Sequence, residues 1–319
     1  MSLLRAAVVG VGYLGSHHAE KYAAHPEVEL VAVVDVDAER ARAVGERLGV
    51  AWAVDHGTLA GRVDCASVAT PTPEHHRVAR DLLAHGIDVL VEKPITTTVA
   101  QGQDLLEVAA YGRRVLQVGH LERFNPAMRA VAEHIGQPRF IECQRLAPFG
   151  PRGTDVDVIL DLMIHDLDLL LSMVSSPVRS VDAVGVPVLT TSVDIANVRV
   201  RFANGCVANL TASRVSAKRE RKLRIFQPDA YFSIDFDQRQ VRMARRRAGS
   251  DGRTDITLEE VTVEEGDALR TEIDAFVRAV QARETPRVSG WDGLRALEMA
   301  EVIRQSVDTE VRAAGVAGT

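Results

Sequence analysis

The stretch Gly10-Val11-Gly12-Tyr13-Leu14-Gly15 restricts the fold more than any other part of this sequence. The short apolar run 5–9 leads into it, and a helix is predicted over 16–24. A second apolar run, Val28–Val34, ends at Asp35, about 20 residues past the last glycine. A strand that turns on glycines into a helix and returns as a strand ending in an acid is a dinucleotide-binding fingerprint. The glycines permit a tight turn and let a pyrophosphate approach backbone N–H groups at the helix N-terminus. Asp35 can accept hydrogen bonds from adenosine ribose hydroxyls and repels a 2′-phosphate, which favours NAD over NADP. The cofactor-binding residues read from this stretch are Gly10, Gly12, Tyr13, Leu14, Gly15 and Asp35.

The alternation of strand and helix continues. A helix is predicted over 38–48, a buried strand over 65–69 ending at Thr70-Pro71, and a helix over 74–85 with Gly86 as its stop. The apolar run Val89-Leu90-Val91 enters Glu92-Lys93-Pro94, a helix follows from about 98 to 110, and a strand over 115–118 ends at Gly119-His120. Such alternation implies a parallel sheet with right-handed crossovers, whose ligands sit at the carboxyl ends of the strands. Asp35, Thr70, Pro71, Glu92, Lys93 and His120 all fall at such ends. Lys93 stands out because the 38 basic residues are 34 Arg and 4 Lys. A compact ammonium can donate to a single oxygen and change its pKa on desolvation, which a guanidinium does not do; the plainer reading is a strand-end lysine reaching solvent. His17, His18, His75 and His76 lie near helix starts and read first as helix-surface or capping residues, with His75 retained as a contact on the nicotinamide side.

A chain of 319 residues suits two domains, divided here as 1–120, binding the dinucleotide, and 121–319, binding substrate and forming oligomers. The net charge of −6 gives no electrostatic reason for a nucleic-acid or anionic-membrane partner. Cys65, Cys143 and Cys206 are odd in number and widely spaced, which argues against a disulfide framework or a zinc knuckle and for a reducing cytoplasm. The run 5–9 reads as a strand rather than a leader, and no apolar run approaches the roughly 18 residues of a membrane span.

In the second half, a helix is predicted from Pro126 to about 134 and a strand over 140–145. Residues 155–174 are apolar around most of a helix, as in a buried helix. Yet Asp157, Asp161, His165, Asp168 and Ser172 recur at intervals of three or four along one face. Burying that stripe unpartnered would cost several kcal/mol in order of magnitude, so it must line a cavity or find partners. Asp161 and His165, at i and i+4, can form a base and the carboxylate that orients it. A metal site on His165 with Asp161 or Asp168, and a purely structural polar network, are the competing readings. Strands over 178–186, 197–202, 207–213, 222–226, 231–235 and 240–245 predict a mostly antiparallel sheet with Asn204-Gly205 as a hairpin turn, closed by helices over 268–283 and 291–311. One face of that sheet would be covered by helices and the other is available to a second subunit. The basic cluster Lys218, Arg219, Arg221, Lys222 and Arg224 reads as a solvated strand edge, with contact to an anionic substrate as the alternative.

The chain resembles the Gfo/Idh/MocA family of NAD(P)-dependent oxidoreductases through the glycine fingerprint, Ala69-Thr70-Pro71 with His75, Glu92-Lys93-Pro94 and Asp161-x-x-x-His165. The resemblance implies an α/β fold: a Rossmann domain with a parallel sheet, then an α+β domain with a large, open, mostly antiparallel sheet that often mediates a homo-dimer or homo-tetramer. It implies catalytic roles for Lys93, Asp161 and His165, and cofactor contacts that extend to Thr70, Pro71, His75, Glu92 and Lys93. One departure lies before the Asp-x-x-x-His helix, where Thr154-Asp155-Val156-Asp157-Val158 replaces a glycine-rich stretch. Within the family, Val118 to Pro126 resembles bacterial nucleotide-sugar members, including UDP-N-acetylglucosamine 3-dehydrogenases of lipid A biosynthesis. The expected activity is hydride transfer between a secondary sugar hydroxyl and NAD, with His120, Arg123 and Asn125 contacting substrate and no resident metal. The alternatives are a free sugar, polyol or imine substrate, or a non-catalytic NAD-binding regulator.

Overall fold

The computed structural model describes residues 3–150, 156–248 and 254–313. It opens with β1 (Leu4–Val9), α1 (Tyr13–Ala23), β2 (Val28–Val34), α2 (Ala38–Leu48), β3 (Ala51–Ala53), β4 (Cys65–Val68), α3 (Thr72–Ala84), β5 (Asp88–Glu92), α4 (Val99–Gly112) and β6 (Leu116–Gly119). These strands form one six-stranded parallel sheet in the order β3-β2-β1-β4-β5-β6. Strands β4, β5 and β6 are buried at every residue, so they are mostly apolar and do not alternate, with Ser67, Asp88, Glu92 and Gln117 as the buried polar exceptions. β3 was not foreseen; it is only three residues long, and its Ala51 and Trp52 are exposed. Helix α1 begins at Tyr13 rather than 16, because Gly12 already serves as its N-cap.

The second half contains α5 (Pro126–Arg129), β7 (Phe140–Leu146), a π-helical turn Ile159–Met163 running into α6 (Ile164–Met173), and β8 (Val178–Val186), β9 (Ile195–Phe202), β10 (Val207–Ser213), β11 (Glu220–Gln227), β12 (Ala230–Asp235), β13 (Gln240–Ala248) and β14 (Thr254–Val261). The eight strands order as β14-β13-β12-β11-β7-β10-β9-β8, antiparallel except for the parallel β7–β10 pair. Their inward residues, among them Ile141, Val198, Leu210 and Ile225, pack on Leu167 and Leu170 of α6. The helix expected to reach 134 stops at Arg129, with a single 3₁₀ turn at Ala132–His134. β14 escaped the sequence reading because it pairs only with β13 and leaves Ile256 and Leu258 exposed, so neither face patterns as core. Thr154 and Asp155, part of the departure from the family pattern, lie outside the described residues.

The chain closes with α7 (Ala268–Ala282) and α8 (Gly290–Ala313). The contacts define two compact units, Met1–Phe124 with Asp267–Leu297, and Asn125–Gly266 with Glu298–Thr319. This differs from a single division at 120/121. The physical reason is the apolar face of α7: Leu269, Ile273, Phe276, Val277 and Val280 complete the core built on Ala6, Val8, Val33 and Leu90. The later part of α8, through Ile303 and Val307, joins the core of the second unit. Among the described residues no helix is long and apolar enough to cross a membrane.

Candidate functional site

The β1–α1 turn is shaped by its glycines. Gly10 has φ 83°, and a Cβ there would lie 2.7 Å from the backbone of Ala69 and Thr70, so only glycine lets the turn rest on the end of β4. A Cβ on Gly15 would fall 1.7 Å from the Gly10 carbonyl oxygen, whereas one on Gly12 would meet nothing within 4 Å. The turn is therefore tight beneath and open above. No side chain caps α1 and its first turn carries no acid, so its N-terminal N–H groups and dipole can receive an anion. Tyr13 and Leu14 stand exposed on that first turn.

Asp35 lies at the end of β2, 5% exposed. Its Oδ2 accepts from Val11 N at 2.9 Å and its Oδ1 from Asp37 N at 3.0 Å. Arg40 Nη1 donates to both oxygens at 3.2 and 3.3 Å. A cavity of about 570 Å³ opens beside it, lined by Gly10, Gly12, Asp35, Arg40, Thr70 and Pro71 among others. An uncapped helix, an open glycine, a strand-end carboxylate and an apolar cavity fit a dinucleotide. Arg40 is the residue missed from sequence. Its signal was a guanidinium five positions beyond the acid, on the first turn of α2.

The ends of β4 and β5 are tied together by His75. It is 1% exposed, with Nδ1 2.9 Å from Pro94 O and Nε2 2.8 Å from Thr70 O. Burial lowers its pKa and the two carbonyls oppose that shift. Neither the surface role nor a ring nitrogen turned to nicotinamide describes it, since both nitrogens face backbone oxygens. His18 is likewise not a surface residue: it is fully buried between Ser67 Oγ (3.1 Å) and Glu92 Oε1 (3.0 Å). His17 and His76 do sit on partly exposed helix faces, beside Glu20 and Asp104. Lys93 is half-buried, and its backbone N–H donates to Glu92 Oε2 at 3.3 Å. His120 is 1% exposed, and Arg123 pairs with Asp292 at 3.5 Å.

In the second unit, Asn125 Oδ1 accepts from Ala127 N at 3.0 Å and so caps α5. Asp161 lies in the π-helical turn and His165 at the start of α6, both half-buried. π-helical turns recur at functional sites because the wider turn re-aims side chains. Asp157 accepts from the N–H groups of Ile159 and Leu160 at 3.0 Å each and pairs with Arg304 at 2.9 Å. Asp168 is 1% exposed. The polar stripe thus partly caps its own helix. The strongest buried pair here was not foreseen: Arg145 meets Asp166 at 2.8 and 3.0 Å, both nearly inaccessible. Its signal was present, since Arg145 occupies an inward position of the alternating strand β7, where a charge demands a partner. The basic cluster is a paired strand surface: Lys218 and Lys222 meet Glu220, Arg221 meets Asp237, and Arg224 meets Glu142. Among the described residues the grouping with metal-ligand spacing is His18, Glu92 and Glu272, not His165 with its neighbouring acids.

Comparison with known proteins agrees with this arrangement. Residues 4–120 match the oxidoreductase family with NAD-binding Rossmann fold, and residues 127–232 match the GFO/IDH/MocA C-terminal domain. UDP-N-acetylglucosamine 3-dehydrogenase of Acidithiobacillus ferrooxidans is 39% identical over 307 residues, 96% of this chain and 97% of that one. A solved structure of that enzyme superposes with a TM-score of 0.90 at 38% identity, covering 97% of this chain and 99% of the other. Inositol 2-dehydrogenase of Rhizobium meliloti is 25% identical over 95% of this chain and 97% of its own length. The protein belongs to the Gfo/Idh/MocA family of oxidoreductases, with an NAD-binding Rossmann fold.

Proposed function

We propose that the protein oxidises the C3 hydroxyl of UDP-N-acetylglucosamine with NAD. The observation that carries this reading is the end-to-end similarity to the Acidithiobacillus enzyme, in a chain that has Lys93, Asp161 and His165 in their motifs. In the mechanism, neutral His165 takes the hydroxyl proton. Asp161, one turn earlier on the same face, accepts from the other ring N–H and so sets the tautomer. The Lys93 ammonium donates to the hydroxyl oxygen as it gains negative charge, an interaction worth about 3–4 kcal/mol in comparable sites. Bound NAD supplies the acceptor for the hydride that leaves C3. Gly10, Gly12 and Gly15 hold the pyrophosphate against α1, with Tyr13, Leu14, Thr70 and Pro71 around it. Asp35 takes the ribose hydroxyls, for which Arg40 must release it.

NAD is favoured over NADP because a 2′-phosphate would meet the Asp35 carboxylate; Arg40 softens that repulsion without removing it. His120, Arg123 and Asn125 serve substrate in this reading, the last two by giving up their present partners. The enzyme would act in the cytoplasm, in lipid A synthesis, as a homo-dimer or homo-tetramer formed through the eight-stranded sheet. The test is NADH absorbance with UDP-N-acetylglucosamine, UDP-N-acetylgalactosamine, free N-acetylglucosamine and inositol. Turnover confined to the UDP sugars supports the reading. Turnover of inositol or a free sugar alone replaces the substrate, and silence across the panel points to a non-catalytic NAD-binding protein. Activity lost to a chelator would replace the mechanism with a metal-dependent one.

A further inference from the structure

The π-helical turn Ile159–Met163 lies between two fixed ends. After it, Leu167, Leu169 and Leu170 hold α6 in the core of the second unit. Before it, three consecutive residues are each held by a different part of the chain. The Val156 carbonyl accepts from Arg214 Nη2. Asp157 Oδ1 receives the N–H groups of Ile159 and Leu160, and its Oδ2 pairs with Arg304 Nε of α8 at 2.9 Å. Val158 N donates to Val193 O at 3.1 Å. Arg214, directly after β10, is the centre of this clamp. The same Nη2 also reaches Val193 O at 3.2 Å, and Nε lies 3.3 Å from Asp194 Oδ1. Asp194 is fully buried and Arg214 is 6% exposed. Asp194 Oδ2 in turn accepts from the N–H groups of Val188, Leu189 and Thr190 at 2.8, 2.6 and 2.8 Å, which fixes the loop that carries Val193. A planar guanidinium can serve two carbonyls and a carboxylate from one position; an ammonium cannot fan its donors that way. A buried ion pair gains little net stability over apolar residues of like volume, so what this one supplies is direction.

We propose that Arg214 and Asp194 are positioning residues: their pair anchors residues 156–158, and that anchor holds the π-helical turn that sets Asp161 against His165. This rests on the roles given to Asp161 and His165 above. The turn holds one residue more than an α-helical turn would. With both ends fixed, the extra residue stays in the turn. With the 156–158 end released, it can slip out, and the turn tightens to α-helical geometry. One residue of slip corresponds to about 100° of rotation. Asp161, inside the turn, would swing around the helix axis, while His165 would stay with the core-packed α6.

The test is kcat in single and double variants, with NAD and the sugar that the substrate panel identifies. Asp194→Asn and Arg214→Met should each lower kcat about 10- to 100-fold, the loss expected of a misplacement near 1 Å, with NAD affinity near wild type. Arg304→Met frees Asp157 alone and should lower kcat about threefold; it serves if Arg214→Met does not fold. In the Asp161→Asn background each of these substitutions should cost less than about twofold, because the group they position is already gone. A merely destabilising change would cost the same in both backgrounds. Losses that multiply, or a kcat in Asp194→Asn within about twofold of wild type, would overturn the proposal. A crystal structure of Asp194→Asn or Arg214→Met gives a readout apart from turnover. Residues 159–163 should there hydrogen-bond as an α-helix, and an unchanged π-helical turn would overturn the proposal as well. Asp161→Asn and His165→Ala separate the two claims. If both lose activity while Asp194→Asn and Arg214→Met keep it, the anchor alone fails. If both keep wild-type kcat, the roles assigned to Asp161 and His165 fail, and the crystal structure decides the anchor by itself.

Discussion

In the first unit β4, β5 and β6 are buried at every residue, whereas in the second β7, β9 and β10 alternate buried with more accessible positions. A parallel sheet covered on both faces can receive a ligand only at its strand ends. Gly10, Asp35, Thr70 and Lys93 accordingly sit where strands stop. An antiparallel sheet with one covered face has no such forced location, and the candidate base His165 stands on a helix laid against the sheet instead. One half of the molecule advertises its site through topology, the other through a few polar side chains in an apolar helix.

The sharpest contrast concerns buried charge. Arg145→Met leaves Asp166 ionised in the core of the second unit and should destabilise it by about 3–5 kcal/mol in thermal or denaturant unfolding. A loss below about 1 kcal/mol would mean that Asp166 takes up a proton at little cost. Catalysis is expected to depend on both units equally. Lys93→Ala and His165→Ala should each lower kcat roughly 100- to 1000-fold while NAD binding, followed by fluorescence titration, stays near wild type. A large loss from only one of them would place the chemistry within one unit.

The comparison also explains what was legible. β2, α2, β8 and β10 have the bounds read from sequence, since turn and capping residues such as Asp37, Gly49, Pro177, Pro187 and Gly205 stand close to their ends. The nucleotide cradle was legible because its glycines and Asp35 have fixed spacing. His18 was misread because a histidine on the first turns of a helix looks the same whether that face meets water or Glu92. Arg40 was missed because its meaning depends on the carboxylate it reaches across the β2–α2 connection. The π-helical turn at Ile159–Met163 leaves no mark that an ordinary helical period would not also leave.

Two smaller effects sharpen the contrast. Asp194 is buried, which raises its carboxyl, but the N–H groups of Leu189, Thr190 and Val188 and the Thr190 hydroxyl bring it down to about 2. A depressed acid stabilises the fold above its unfolded pKa and loses that contribution as pH falls through its folded value. The stability of the second unit should therefore decline between about pH 4 and pH 2. Asp194→Asn should lack that decline, and an identical acid profile in the variant would remove Asp194 from the account. In the first unit, Asp35→Ala should weaken NAD about tenfold and narrow its advantage over NADP. Arg40→Ala should weaken NADP alone. Equal losses for both dinucleotides would show that Arg40 does not discriminate between them.

The proposed mechanism has the Lys93 ammonium and the His165 imidazole act on one sugar hydroxyl. A crystal structure with NAD and UDP-N-acetylglucosamine measures this directly. The account predicts Lys93 Nζ and the His165 ring nitrogen each about 2.6–3.2 Å from the C3 hydroxyl oxygen. Finding either nitrogen in a separate crevice, out of reach of that oxygen, would contradict it.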